Sequence, residues 1–333
     1  MILWVEFFVL MLIVLFSGKN LVKYGDILAE KLNLGKTIIG LIFIASITSL
    51  PELITGISSV AIVESADLLA GDIFGSCMAN LFMLVILDAF IKQQPLTTKV
   101  HHGFTLTASF GIVLIVVAVL SILMSKYIFS IKWVSLSSLI IIVIYIFALK
   151  VSTSYERRLL KKATHEIAQK LKYEQIPLKD VVFKYALNSV FIIFAATLLP
   201  ERGEKIIQAF GLSETFFGSF FIAVTTSLPE LAVSIASIKL GLVQIAVANL
   251  LGSNIFNVFI MAVSDFFFLK GSVYSYMSLS SVIPALFAVI MTCVVIIGLI
   301  YKVERKYFFI GNESILLAIL YVLGIYLTYH LRL

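Results

Sequence analysis

Residues 33–53 read NLGKTIIGLIFIASITSLPEL and residues 211–231 read GLSETFFGSFFIAVTTSLPEL; at a constant offset of 178, 12 of the 21 positions are identical. Shared apolar composition does not give that match, because the run Thr-Ser-Leu-Pro-Glu is repeated letter for letter. A second block follows each copy: GDIFGSCMANLFMLVILDAF at 71–90 answers ANLLGSNIFNVFIMAVSDFF at 248–267, now at an offset of 177. Gly75, Ser76, Asn80, Phe82, Asp88 and Phe90 recur as Gly252, Ser253, Asn257, Phe259, Asp265 and Phe267. The matched positions include most of the polar ones.

The solvent for this repeat is lipid. Of 333 residues, 61% are hydrophobic and 13% charged, with a mean hydropathy of +1.08, far outside the range of soluble domains. A bilayer core of about 30 Å calls for roughly 20 apolar residues per spanning helix. Ten spans are predicted, at 2–24, 36–63, 67–92, 104–124, 128–150, 183–208, 212–238, 242–268, 276–300 and 312–331. The first run lacks a basic leader and a small-residue cleavage site, so it reads as a retained helix. Cys77 and Cys293 fall inside predicted spans and imply neither a disulfide framework nor a soluble zinc site.

The net charge of +6 does not point to nucleic acid, since the basic residues lie at helix ends and in one loop without interleaved stacking aromatics. Sorted by alternate loops, 19 of the 25 Lys and Arg fall on one side and 6 on the other. The positive-inside rule then places both termini outside, in a multi-pass protein of the plasma membrane. In the inner loop Tyr155, Leu159, Ala163, Ile167 and Leu171 recur every fourth residue. That stretch reads either as a solvated linker or as a short helix lying on anionic lipid.

Equivalent blocks are separated by five predicted spans, an odd number, so equivalent helices cross the membrane in opposite directions. The predicted fold is all-α and integral to the membrane, with ten transmembrane helices in two inverted five-helix repeats. Residues 1–150 form the first repeat, 151–182 an inner basic linker and 183–333 the second repeat. Secondary transporters with this architecture place their sites near the midplane, on broken helices.

Thr48-Ser49-Leu50-Pro51-Glu52 and Thr226-Ser227-Leu228-Pro229-Glu230 each fall near the middle of a span, where a carboxylate costs at least a few kcal/mol unless compensated. Pro51 and Pro229 remove a backbone donor and break or kink each helix, freeing carbonyl oxygens. The hydroxyls of Thr48, Ser49, Thr226 and Ser227 and carbonyls near Ala45 and Ala223 then join Glu52 and Glu230 in an all-oxygen site, the chemistry of hard cations. Two glutamates match one Ca2+ or two Na+. No His or Cys pair shares the region at ligand spacing, which argues against Zn2+ or Cu+. Ser76 and Asn80, like Ser253 and Asn257, are four residues apart on one helical face. Beside Gly75 and Gly252, that face reads as tight helix packing or as ligation; opposite a TSLPE block, ligation is favoured.

These paired blocks resemble the alpha repeats of the calcium/cation antiporter superfamily, and its sodium/calcium exchanger branch more than its proton/calcium branch. The resemblance covers residues 33–90 and 211–267. It implies that Glu52 and Glu230 are the central Ca2+ and Na+ ligands and that Thr48, Ser49, Thr226 and Ser227 add hydroxyl or backbone oxygens. It further implies that Ala45 and Ala223 add carbonyls, that Ser76 and Ser253 serve flanking Na+ sites, and that Asn80 and Asn257 take the positions four residues after each motif serine. Asn257 weakens the case for K+ cotransport. The chain departs from the pattern at Cys77, where Asn is usual, and at Asp72, where the other half has Asn249. The inner loop is too short for the calcium-sensing domains of animal exchangers.

The expected activity is exchange of Ca2+ for Na+ by alternating access, with no catalytic residue, no cofactor, membrane lipid as surroundings and no obligatory protein partner. A proton/calcium antiporter, with H+ as the driving ion, is the alternative, and a cation channel a more distant one. Helices one and six, with polar interruptions at 17–20 and 200–205, suit a moving gate. His101, His102, His165 and His330 read as juxtamembrane or loop residues. Glu64 and Asp67 read as solvated turn residues, or as cation attractors in an outer vestibule.

Overall fold

The computed structural model describes residues 2–31, 48–91, 94–163, 175–239, 241, 243–302, 306–307 and 310–331. The described chain is helical apart from two short hairpins. Its helices are α1 (Ile2–Lys31), α2 (Leu50–Ala61), α3 (Ala66–Phe90), α4 (Phe104–Leu123), α5 (Leu136–Ala163) and α6 (Leu178–Phe210). Then come α7 (Glu214–Thr226), α8 (Leu228–Lys239), α9 (Val243–Asp265), α10 (Val282–Tyr301) and α11 (Asn312–His330). Among the described residues seven helices are long and apolar enough to cross a bilayer, and α7 with α8, bent by 44° at their break, brings the number to eight if the pair is counted as one span. The shorter apolar helices Leu50–Ala61 and Leu136–Ser152 fall within the predicted second and fifth spans. Residues 36–47 of the second lie outside the described residues.

The fifth span starts later than predicted. Residues 128–135 are apolar enough to read as helix, but Ser130–Ile131 and Val134–Ser135 pair as an antiparallel hairpin, β1 and β2, with Lys132 at a positive φ of 57° in its turn. An equivalent hairpin, β3 (Lys306–Tyr307) and β4 (Ile310–Gly311), precedes α11. α5 runs on through Ala163, carrying helix into the predicted linker. Ile167 and Leu171 of the proposed surface helix lie outside the described residues.

α3 and α9 are the most enclosed spans. α3 packs against α9, α10 and α11, and α9 packs against α4 and α5. Each central helix thus rests on the outer pair that follows the other one in sequence. Matched aromatic pairs seal these contacts. Phe82 stacks on Tyr321 with centroids 4.6 Å apart, and its repeat counterpart Phe259 stacks on Tyr145 at 4.3 Å.

Two matched carboxylates close the ends. Asp88 accepts hydrogen bonds from Leu96 N (2.7 Å), Gly311 N (2.6 Å) and Ser314 Oγ (2.8 Å). Asp265 accepts from Val273 N, Ser135 N and Ser138 Oγ, each at 2.7 Å. Each carboxylate ties the last turn of a central helix to the turn eight residues on and to the hairpin of the opposite outer pair. The copies differ in one respect: Asp88 also pairs with Lys306 Nζ at 3.0 Å, whose hairpin position is held by Ser130 in the other copy.

Close backbone packing positions the middle of the fold. A Cβ at Gly75 would lie 2.3 Å from Ser219 Cα, and one at Gly71 would lie 2.5 Å from Thr215 O. Facing them, a Cβ at Gly218 would lie 2.7 Å from Leu68 O. α3 therefore meets α7 backbone to backbone, at a π-helical turn spanning Gly218–Ile222. α1 stays helical through Ser17-Gly18-Lys19-Asn20, so this polar stretch is no break. Gly18 instead seats α1 on Pro229, where a Cβ would come within 2.6 Å of Cγ. α6 likewise stays helical through Pro200. The carbonyl that Pro200 releases, Ala196 O, accepts from Thr55 Oγ1 at 3.4 Å, and Thr197 O accepts from Ser58 Oγ at 2.6 Å. Beyond it, Arg202 pairs with Glu6 of α1 at 2.9 Å and with Glu201 at 2.8 Å.

Glu64 is an exposed turn residue, as read, whereas Asp67 is tied into the fold. Glu64 pairs with Lys270 at 2.5 Å. Asp67 accepts from Ser278 N at 2.7 Å and Ser281 Oγ at 3.0 Å.

Removing the Asp88 carboxylate leaves buried donors unpaired and takes the counter-charge from Lys306, whose Nζ keeps the carbonyls of Asp88 and Ile91, which costs about 3 kcal/mol or more. Asp265→Ala leaves only neutral donors and costs roughly 1–3 kcal/mol. Thermal melting in detergent is expected to rank Asp88→Ala below Asp265→Ala; equal midpoints count against the ion-pair asymmetry. In the same assay Gly75→Ala is expected to cost about 1–3 kcal/mol by overpacking, whereas Gly111→Ala, with nothing within 4 Å among the described residues, leaves the midpoint unchanged or raised.

Candidate functional site

The two TSLPE runs build the same local structure. Ser49 has φ −88° and ψ 14°, and Ser227 has φ −86° and ψ 4°, so the helix is interrupted at the same residue of each copy. It restarts at Leu50 and Leu228 with proline in the first turn, the position that tolerates the missing N–H. Glu52 and Glu230 follow in those first turns, where the positive end of the helix dipole favours a carboxylate. The breaks thus supply two helix N-termini, each carrying a glutamate.

The copies then interlock. Ser49 Oγ donates to Glu230 Oε1 at 2.9 Å, and Ser227 Oγ donates to Glu52 Oε1 at 3.0 Å. Each serine serves the carboxylate of the other half. Glu52 is 1% exposed and Glu230 fully buried, so two carboxylates sit in one enclosed network. Glu230 is also flanked by the hydroxyls of Thr48 and Ser253, and Ser49 Oγ lies 3.3 Å from Ser253 Oγ. The charges of Glu230 and Asp72 both bear on Glu52.

α3 and α9 supply the rest. Thr226 Oγ1 donates to Asp72 Oδ1 at 3.3 Å and lies as close to Ile222 O and Ala223 O. Asn80 Nδ2 donates to Asn254 Oδ1 at 3.0 Å, and Asn254 Nδ2 donates to Cys77 O at 3.3 Å. Cys77 and Asn254 are repeat counterparts, so α3 and α9 cross at equivalent residues. Asn249 donates to Glu230 O at 3.3 Å and Ser234 Oγ at 3.2 Å.

Of the twelve residues expected from the sequence, Ser49, Glu52, Ser227, Glu230 and Ser253 fall into this one network, with Thr48 beside it and Thr226 joined to Asp72. Ser76 and Asn257 are buried, and Asn80 reaches the middle through Asn254. Ala223 O is engaged within its helix by Ser227 N at 3.1 Å. Ala45 lies outside the described residues. Asn249 and Asn254 were not anticipated as members; their positions opposite Asp72 and Cys77 in the aligned blocks carried the signal.

Several buried oxygens have no hydrogen-bond partner: Glu52 Oε2, Glu230 Oε2, Asp72 Oδ2, Ser76 Oγ, Asn80 Oδ1 and Asn257 Oδ1. Unpaired polar atoms are costly in the interior, and those here are oxygens apart from Asn257 Nδ2. Among the described residues no three His, Cys, Asp or Glu side chains gather to hold a metal ion, unlike a nitrogen- and sulfur-rich transition-metal site. The arrangement suits a hard cation held by two carboxylates, hydroxyls and amide oxygens.

The chain is 29% identical to the inner membrane protein YrbG of Escherichia coli strain K12 over 253 residues, 75% of each chain. It is 24% identical to the sodium/calcium exchanger MaX1 of Methanosarcina acetivorans, over 96% of this chain and 97% of that one. Among solved structures, a sodium-calcium exchanger, NCX_Mj, soaked with Na+ and Sr2+, superposes with a TM-score of 0.63 at 22% identity, over 100% of this chain and 99% of that one. An H+/Ca2+ exchanger, CAX, gives a TM-score of 0.72 at 13% identity, over 98% of this chain and 84% of that one. These two likenesses show a shared fold. The model for the family described as sodium/calcium exchanger protein matches residues 2–153 and 182–330, and on that match, with the doubled TSLPE runs in place, the chain belongs to the sodium/calcium exchanger protein family of multi-pass membrane antiporters.

Proposed function

We propose that this chain exchanges Ca2+ for Na+ across the membrane, both ions competing for one site between Glu52 and Glu230. The observation that carries the reading is the reciprocal Ser49–Glu230 and Ser227–Glu52 hydrogen bonding, which joins the carboxylates of both halves in one enclosed network. Two buried carboxylates repel and lose solvation, so the site is tolerable only with cations in it. One Ca2+ or two Na+ supply that charge, with a further Na+ held by hydroxyls and carbonyls. The ligands we assign are Glu52 and Glu230 at the centre, with Thr48, Ser49, Thr226, Ser227, Ala45 and Ala223 around them, and Ser76, Asn80, Ser253 and Asn257 from the crossing helices.

The architecture we assign is ten spans in two inverted halves, residues 1–150 and 183–333, joined by the basic linker 151–182. The matched carboxylate ties, aromatic stacks and hairpins support it, as does a family match divided at nearly the same residues. Inverted halves make the two faces of the protein near-equivalent, which is what alternating access requires. α1 and α6, of 30 and 33 residues, exceed the roughly 20 needed to span, and they pack on each other and on the broken helices. We assign to this pair the sliding motion that opens the site to one side and then the other, permitted only when cations compensate the carboxylates. Both termini lie outside, in the plasma membrane.

Vesicles loaded with Na+ and diluted into Na+-free buffer are expected to take up 45Ca2+, and Glu52→Gln or Glu230→Gln to abolish uptake. Ser49→Ala and Ser227→Ala are expected to weaken apparent Ca2+ affinity by comparable amounts, roughly tenfold, as each removes one hydrogen bond to a charged group. Uptake that follows a pH gradient and ignores Na+ contradicts the assignment of Na+ and makes H+ the driving ion.

A further inference from the structure

The ties at Asp88 and Asp265 match donor for donor. Leu96 N and its counterpart Val273 N each meet Oδ1. Gly311 N and Ser135 N, and likewise Ser314 Oγ and Ser138 Oγ, each meet Oδ2. The turn beyond is shared too: Ile91 N donates to Asp88 O at 3.1 Å, and Phe268 N donates to Asp265 O at 3.3 Å. Every oxygen that Lys306 uses in the first copy therefore has an equivalent in the second. The Lys306 ammonium donates to Asp88 O at 2.6 Å and Ile91 O at 2.7 Å and pairs with Asp88 Oδ1 at 3.0 Å. The equivalents are Asp265 O, Phe268 O and Asp265 Oδ1.

What differs is the cation. Lys306 and Ser130 hold the same place in their hairpins, opposite Gly311 and Ser135, and a serine side chain stops well short of where a lysine ammonium reaches. Lys132 of that hairpin lies over the Trp133 ring, 5.7 Å from its centroid, and Lys270 pairs with Glu64. None of the ion pairs among the described residues involves Asp265, and the groups around its carboxylate are the neutral Ser138, Val273 N and Ser135 N. Asp265 is fully buried and ends α9, where the helix dipole has its negative pole and favours a cation. A buried carboxylate among neutral donors keeps a charge that nothing in the protein balances.

The first copy shows which cation these oxygens suit. They hold an ammonium at 2.6–3.0 Å, whereas Ca2+ takes six to eight oxygens, generally at about 2.3–2.6 Å. One carboxylate also calls for one positive charge. We propose that Asp265 Oδ1, with the carbonyls of Asp265 and Phe268, binds one singly charged cation of ammonium size, either an alkali or ammonium ion or the headgroup amine of a phospholipid, which braces the second half as Lys306 braces the first. On the orientation assigned above, this site lies at the outer face. It stands at the end of α9, outside the network of Glu52 and Glu230, and goes beyond the exchange function without resting on it.

The test is thermal melting of the purified protein at fixed pH and ionic strength and saturating Ca2+, with choline replaced by K+, Na+ or NH4+. A parallel series in choline compares nanodiscs of phosphatidylcholine with and without phosphatidylethanolamine. The wild-type midpoint is expected to rise by about 2 °C or more with one of the salts or with phosphatidylethanolamine. A rise with salt in detergent identifies a free ion as the occupant, and a rise with phosphatidylethanolamine alone identifies the headgroup amine. Ser130→Lys, which supplies the ammonium of the first half, is expected to melt above wild type in choline and to lose the response. Asp265→Asn is expected to melt below wild type and to lose the response as well. A wild-type midpoint that is the same in choline, in every salt and with either lipid overturns the proposal, and so does a response that either variant keeps. Where one variant does not fold, the other decides. None of these results bears on Na+-driven Ca2+ uptake, which stands or falls by its own assay.

Discussion

The structure depends on two carboxylates that have no business in a bilayer core unless something balances them. Glu52 and Glu230 are buried, and each accepts a hydrogen bond from a serine of the other half. Neither half completes the arrangement alone. The surrounding features serve this constraint: the interruption at Ser49 and Ser227 turns two helix N-termini toward the glutamates, and the prolines start those helices where a missing N–H is harmless. Glycines on α3 and α7 bring the backbones close enough to shut water out. What these donors leave unbalanced is charge, and the free oxygens around the site are the kind that hard cations take.

The frame around the site is nearly the same twice over. Asp88 and Asp265, Phe82 with Tyr321 and Phe259 with Tyr145, and the two hairpins perform matching tasks. A frame built this way is what the proposed alternating access requires, because exchanging the roles of the halves changes few contacts. The departures from symmetry then matter more than the matches. Lys306 adds an ion pair to one carboxylate tie and not the other, Cys77 faces Asn254 at the helix crossing, and Asp72 places a charge where Asn249 has none. These residues make the two halves inequivalent.

Much of this was legible in the sequence, for a physical reason. Polar residues inside apolar spans carry information because lipid offers nothing to pair with, so the doubled TSLPE and GSCMAN/GSNIFN blocks point to the candidate site from the sequence alone. The hairpin at Ser130–Ser135 was not legible, since Ile131, Trp133 and Val134 satisfy a hydropathy window as well as a helix does. Asp88 and Asp265 were visible as a matched pair, but their partners lie eight and more than a hundred residues away, beyond any local pattern. The run at 17–20 read as a polar interruption of the first span, and only the fold shows that Gly18 seats that helix on Pro229. The π-turn at Gly218–Ile222 left no trace in the periodicity, because one extra residue in a turn is smaller than the window that detects helices. Asp67 looked like a surface acid, and only the fold brings Ser278 and Ser281 to it.

The central claim is that one cation is shared by glutamates from both halves. Its most direct test is an anomalous difference map from crystals soaked in Sr2+, a heavier stand-in for Ca2+. The account predicts a single strong peak bonded to one carboxylate oxygen of Glu52 and one of Glu230, each at about the 2.3–2.6 Å typical of such ligands. A peak held by only one of the two glutamates, or separate peaks on each with no shared ion, contradicts it.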